Sequence, residues 1–130
     1  MIPILITVLG LFLRLFNLSS WFYFTHDEET IIWRVMPFIR DYNPFLLGGV
    51  TPFHVHLGPW FYYLSALVLK ISRLNPLGWG ATAALLSVMA MWLTFYVGKV
   101  FFNRRVGLIA LLLYATSFLM IAFDRHWWPL

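Results

Sequence analysis

Three of the five carboxylates in this chain fall in one run, Thr25-His26-Asp27-Glu28-Glu29. The run follows a hydrophobic stretch, and nearly everything around it is apolar. Acidic groups at the mouth of a membrane helix cost free energy unless they are used or neutralised. We therefore read Asp27 as heading an active site on the outer face of a membrane. The same residues also have a structural role. Thr25 to Glu28 carries the S/T-x-x-E spacing of a capping box, and acid in the first turn suits a helix N-terminus. The run thus predicts the start of an interfacial helix through Arg40, with Ile31, Ile32, Val35, Met36 and Ile39 at helical spacing and Pro37 kinking or ending it. The two roles are compatible, because a cap fixes the side chain that carries it.

Few other residues could do chemistry. Arg14 sits near the end of the first hydrophobic stretch, where it either snorkels to lipid headgroups or serves as an anion ligand or a partner for Asp27. His54 and His56 form an H-x-H pair, which on a strand puts both rings on one face and could supply two metal ligands. With no further His or Cys nearby this is a weak signal, and they read as ordinary hydrogen-bonding groups. Cysteine is absent, which excludes disulfides, thiolate catalysis and thiolate-held metals. Lys70 lies inside an apolar segment, and Asp124-Arg125 follows the last one.

The elements that must position these groups are those of a membrane protein. Of the 130 residues, 62% are hydrophobic, 20% aromatic and only 11% charged, against about 25% charged in soluble domains. The net charge of +4 suits a positive-inside bias and anionic lipid headgroups. No nucleic-acid-binding motif is present, and nucleic acid is not an expected partner. Residues 2–18 are apolar apart from Thr7, Arg14 and Asn17 and lack the basic leader and cleavage site of a signal peptide, so they predict an uncleaved first transmembrane helix. Trp21-Phe22-Tyr23-Phe24 reads as an interfacial aromatic belt. Asp41 to His56 reads as a loop, with breakers at Asn43-Pro44, Gly48-Gly49 and Thr51-Pro52. Trp60 to Ile71 is too short to span and predicts a second juxtamembrane helix. Residues 77–98 and 106–123 are uncharged and long enough to span, the first rich in small residues. The expected fold is an all-α polytopic bundle of three transmembrane helices, with outer-face juxtamembrane helices in the loop 19–76 and a turn at 99–105.

That turn holds Lys99, Arg104 and Arg105, so it should be cytoplasmic. With three spans the loop 19–76 is then outside, as is Asp124. The long loop carries Arg34, Arg40, Lys70 and Arg73, but the positive-inside rule is weaker for long loops and these charges are dispersed.

In order along the chain stand Arg14-Leu15-Phe16-Asn17-Leu18, His26-Asp27-Glu28-Glu29, His56-Leu57-Gly58-Pro59-Trp60-Phe61-Tyr62-Tyr63-Leu64, Lys99-Val100-Phe101-Phe102-Asn103-Arg104-Arg105, and Ala115-Thr116-Ser117 through Asp124-Arg125-His126-Trp127. This order resembles the N-terminal part of the GT-C glycosyltransferases, most of all the prokaryotic relatives of protein O-mannosyltransferases and lipid A aminoarabinose transferase. The resemblance implies a donor sugar on a polyprenyl phosphate, a lipid, glycan or protein acceptor, and a site on the outer face of a prokaryotic plasma membrane. Asp27 matches the family's catalytic aspartate and Glu28 its acidic neighbour. Gly58-Pro59 stands where the family has Pro-Pro, and His56 lies one position earlier than the family's usual His. The implied reaction inverts the anomeric centre: an acceptor hydroxyl attacks, Asp27 takes its proton, and the lipid phosphate leaves. Arg14, His56, Lys70, Asp124 and Arg125 are the expected substrate and lipid-phosphate groups, with no metal and no cofactor. Family members are longer, so the chain is expected to be a fragment that is inactive alone. Two rival readings stand beside this one. A non-catalytic membrane anchor or assembly subunit would use the acidic run only as a cap. A transporter fragment would line a polar path with Asp27 and Arg14, against which the uncharged second and third spans count.

Overall fold

The computed structural model describes residues 1–50 and 54–128. The Thr51-Pro52 breaker and the closing Pro129-Leu130 lie outside them. The fold is all-α: 73% of the described residues are helical, and none of them forms a strand. The helices are α1 (Ile2–Leu15), α2 (Leu18–Trp21), α3 (His26–Asp41), α4 (Pro59–Ile71), α5 (Leu77–Phe101), α6 (Arg104–Thr116) and α7 (Phe118–Phe123). They divide into two compact units, Met1–Phe22 with Gly80–His126, and Tyr23–Trp79 with Trp127 and Trp128. One helix, α5, is long and apolar enough to cross a membrane. Its 25 residues rise about 37 Å, against a hydrocarbon core of roughly 30 Å.

In the first unit α1, α5 and α6 pack around Met91, Phe95, Leu111 and Ala115, with Ile6 and Leu108 against them. Small residues set how closely the helices approach. A methyl group on Gly10 would lie 2.8 Å from the Met91 sulfur and 3.0 Å from Ala115 Cβ. One on Gly98 would lie 2.8 Å from Gly107 Cα, so backbone meets backbone where α5 turns into α6. The faces turned away from this core carry Leu5, Val8 and Phe12 on α1, Leu86, Met89 and Leu93 on α5, and Ile109 and Leu113 on α6, all exposed.

The expected segment boundaries change in three places. The first stretch, expected to run as one helix over 2–18, stops at Leu15. Asn17 then takes a left-handed conformation (φ 51°) before the short α2, which an asparagine tolerates better than most residues. The stretch 106–123, expected as one span, breaks at Ser117, whose backbone is extended. The Ser117 hydroxyl accepts from the Met120 N–H and starts α7 afresh, the local bonding that makes serine a better cap than helix interior. The expected turn 99–105 shrinks to Phe102 and Asn103, because α5 continues through Lys99 to Phe101. Asn103 caps α6 by accepting from Val106 N–H at 3.0 Å.

In the second unit α3 packs on α4. Their buried stripes are Ile31 and Val35 on one side and Tyr62, Ala66 and Leu69 on the other, each at helical spacing. Pro37 does not end α3, which runs on to Asp41 before Tyr42 turns left-handed. Phe38 beyond it meets the Tyr63 ring edge-on at 5.0 Å, so packing retains the last turn despite the missing N–H. The loop that follows closes on itself through Gly48 N–H to Leu57 O and Leu57 N–H to Gly49 O, both at 2.9 Å. Side chains on Gly48 or Gly49 would strike the Tyr62 ring, which explains that glycine pair. Ser65 ties the unit together: its carbonyl accepts from the Trp79 indole at 2.9 Å and its hydroxyl from the Trp127 indole at 2.7 Å.

Candidate functional site

Asp27 and Glu28 stand side by side at the start of α3 but have opposite environments. Glu28 is fully buried. Its Oε2 accepts from the Thr25 N–H at 2.8 Å and from the Thr25 hydroxyl. Thr25 Oγ1 in turn accepts from Asp27 N–H at 3.3 Å. This capping box anchors the backbone that carries Asp27. Asp27 itself is exposed, and among the described residues its carboxylate has no hydrogen bond or ion pair. Glu29 is turned to its own helix, with His26 Nδ1 at 3.5 Å and the Trp33 indole donating to it at 3.3 Å. A fixed backbone and an open carboxylate are what a proton acceptor for an arriving hydroxyl requires.

Arg14, Asp124 and Arg125 come together in the other unit. Arg14 is fully buried. Its Nε and Nη2 both reach Asp124 Oδ2, at 2.8 and 2.7 Å. Nη1 donates to Gly10 O at 3.0 Å and Ala115 O at 3.1 Å, and Nη2 to Tyr114 O at 3.4 Å. Those contacts use all five N–H donors of a guanidinium. Two of the acceptors, Tyr114 and Ala115, are carbonyls that the break at Ser117 deprives of their helical partners. Arg125 does the converse. Its Nε donates to Arg14 O at 3.0 Å, and its Nη2 to Leu13 O and to Phe16 O, the latter at 3.1 Å. Arg14, on α1, thus caps the C-terminus of α6, and Arg125, beyond α7, caps the C-terminus of α1, where a positive charge is also favoured by the helix dipole. Burial, and then the positive charge of Arg14, hold Arg125 below the usual arginine range.

The remaining expected ligands stand apart. His56 is exposed in the loop before α4, in an isolated antiparallel bridge with Val50. His54 adopts a left-handed backbone (φ 59°), so the two do not share a strand face. Lys70 Nζ lies 5.0 Å over the Tyr42 ring and 3.4 Å from its hydroxyl. Tyr42 follows the C-terminus of α3, about 22 Å along the helix from Asp27 at 1.5 Å per residue, so Lys70 is held well away from the acidic run. No group of three or more His, Asp or Glu side chains among the described residues could hold a metal ion.

Sequence reasoning named Arg14 and Arg125 without the role that the structure gives them. The acceptors are backbone carbonyls, which carry no residue signature. It passed over Ser65, which receives both buried indoles. The one available signal was Trp127 just beyond Asp124-Arg125, a large amphipathic ring that seeks a partner when buried. Set against known protein families, characterised proteins and solved structures, the chain matches none.

Proposed function

We propose that this chain is the N-terminal part of a polytopic membrane glycosyltransferase of the GT-C type. It would move a sugar from a polyprenyl-phosphate carrier to an acceptor hydroxyl on the outer face of a prokaryotic plasma membrane. The observation that carries this reading is the division of labour at the start of α3. Glu28 is buried in the capping box, while Asp27 is left open on a fixed backbone. In the proposed reaction the acceptor oxygen forms a bond to the anomeric carbon and the bond to the carrier phosphate breaks from the opposite side. The hydroxyl proton passes to Asp27, and the phosphate takes the bonding electron pair. A phosphate is a good leaving group at neutral pH and asks for no proton donor. Glu28 acts as a positioning residue through the cap.

Among the cations expected near the leaving phosphate, Arg14 has every donor committed, so we assign Arg14, Asp124 and Arg125 to the framework. His56, in the same unit as Asp27, is the group we assign to the phosphate. Membrane placement is supported by α5 and by the apolar faces that α1, α5 and α6 leave open. We propose three spans, formed by the α1–α2 stretch, α5, and the α6–α7 stretch. Non-helical backbone is tolerated at membrane depth where protein groups satisfy it, as Arg14 and Arg125 do at both breaks.

The test is Asp27→Asn in the complete enzyme, measured as transfer of labelled sugar from a polyprenyl-phosphate donor. We expect a loss of about 10²- to 10⁴-fold with unchanged helix content. Activity at the wild-type level would leave the acidic run as a cap alone and favour an anchor or assembly subunit. Topology is read separately. The native chain has no cysteine, so single cysteines at Thr25, Asn103 and His126 report sidedness without background. Positions 25 and 126 should label from outside intact cells and position 103 should not.

A further inference from the structure

Arg34 is used by none of this. It lies in the middle of α3, half-buried, with its guanidinium 5.0 Å over the Phe45 ring and Nη2 donating to Leu47 O. Its Nε is buried without an acceptor, and the ion pairs among the described residues are Arg14 with Asp124 and His26 with Glu29. A partly desolvated cation with no counter-charge is unfavourable. Beside it is an open groove of about 450 Å³, walled by Arg34 and Pro37 on α3 and by the loop 43–47, within the size range of small-molecule sites. Asn43 adds an amide to the lining. The rim is apolar and uncovered: Leu46 is 89% exposed, and Leu47 and the neighbouring Tyr42 are exposed too.

We propose that this groove binds the phosphate of an anionic membrane lipid, with Arg34 as its ligand and Leu46 and Leu47 against the glycerol and the first methylenes. A planar guanidinium braced on an aromatic ring is suited to a phosphate, which can accept two N–H bonds at once. The exposed leucines decide between sources. A soluble phosphate ester would leave them in water, whereas a lipid covers them, and tyrosine at the rim fits the headgroup level. The inference rests on the proposed membrane placement but not on sugar transfer.

The experiment uses the whole chain in neutral detergent micelles, carrying Asp27→Asn so that any catalytic role is silent. Retention of phosphatidylglycerol is compared with that of phosphatidylcholine by native mass spectrometry. Phosphatidylglycerol should be retained preferentially. Arg34→Gln and Leu46→Asp should each weaken retention at least about tenfold, while Arg40→Gln, an exposed arginine on the same helix outside the groove, should not. Leu46→Asp changes a surface residue, so it decides the matter if Arg34→Gln disturbs folding. Wild-type retention by Leu46→Asp, or an equal loss with Arg40→Gln, overturns the site. Displacement of the lipid by millimolar glycerol 3-phosphate overturns the lipid as occupant in favour of a free phosphate ester.

Discussion

Replacing either member of the Arg14–Asp124 pair should destabilise the first unit at least as much as replacing both. Arg14→Met removes five contacts at once. It strands the Asp124 carboxylate and reopens the Tyr114 and Ala115 carbonyls. Breaking a buried pair from one side costs about 3–5 kcal/mol. Asp124 retains 18% side-chain exposure, so water relieves part of its loss, and about 3 kcal/mol is the better figure for Arg14→Met. Asp124→Leu leaves a fully buried guanidinium with two N–H groups unmatched and Arg125 as a like-charged neighbour, again about 3 kcal/mol. The double variant Arg14→Met/Asp124→Leu removes both charges together. It leaves only the carbonyls of α6 unmatched, at about 1–3 kcal/mol. The coupling between the sites should therefore be at least about 2 kcal/mol. Arg14→Lys keeps the charge but brings an ammonium's three donors to a five-contact site, so it should recover only part of the loss.

The assay is reversible unfolding of the purified chain in mixed neutral-detergent and dodecyl-sulfate micelles, followed by far-ultraviolet circular dichroism. A single substitution at 3 kcal/mol moves the unfolding constant by roughly a hundredfold, which the midpoint resolves. Additive single effects, or single effects below about 1 kcal/mol of the kind typical of surface pairs, would refute the reciprocal caps as the element that holds the ends of α1 and α6.

Four further outcomes are expected. Thr25→Ala removes the cap of α3 and should lower stability by about 1 kcal/mol, with Thr25→Ser nearly neutral in the same melt. Gly98→Ala places a methyl 2.8 Å from Gly107 Cα, and because backbone cannot yield as a side chain can, about 1–3 kcal/mol is lost, visible as a lowered unfolding midpoint. Ser65→Ala keeps the carbonyl bond to Trp79 but leaves the buried Trp127 indole without its hydroxyl; a loss of about 1–3 kcal/mol should accompany a shift in tryptophan emission. Asp27→Asn, in contrast, should leave all of these melts unchanged while lowering transfer in the complete enzyme by about 10²- to 10⁴-fold, because the exposed carboxylate takes no part in the fold.

What could be read from the residues was local. The capping box needs only Thr25 and Glu28 three apart, and it forms with the expected partners. The helix over 77–98 was legible because nothing in that stretch opposes it. The break at Ser117 was not, since no proline or glycine marks it and serine is neutral enough to sit inside a helix. Arg14 shows the limit most clearly. Its position near the end of an apolar stretch suggested lipid headgroups or Asp27, but its ion partner lies 110 residues away at Asp124, and its other contacts are carbonyls. Lys70 was legible as a charge in an apolar helix, but its placement on Tyr42 depends on how α3 and α4 pack.

The two arginines also explain why short helices can exist in so apolar a unit. α1 has 14 residues and α6 has 13, about 20 Å each, short of a hydrocarbon core of roughly 30 Å. A helix that ends early leaves carbonyls with no water to bond them, and in lipid each would cost several kcal/mol. Continuing both helices straight would remove the difficulty, and the sequence does not do so: Asn17 and Ser117 interrupt them. Arg14 and Arg125 bring donors to both breaks, and Asp124 offsets part of the positive charge thereby buried. Held by these contacts, the two helices end at defined points, Leu15 and Thr116. Arg14, Asp124 and Arg125 are thereby committed to the framework, whereas the carboxylate of Asp27 is left exposed.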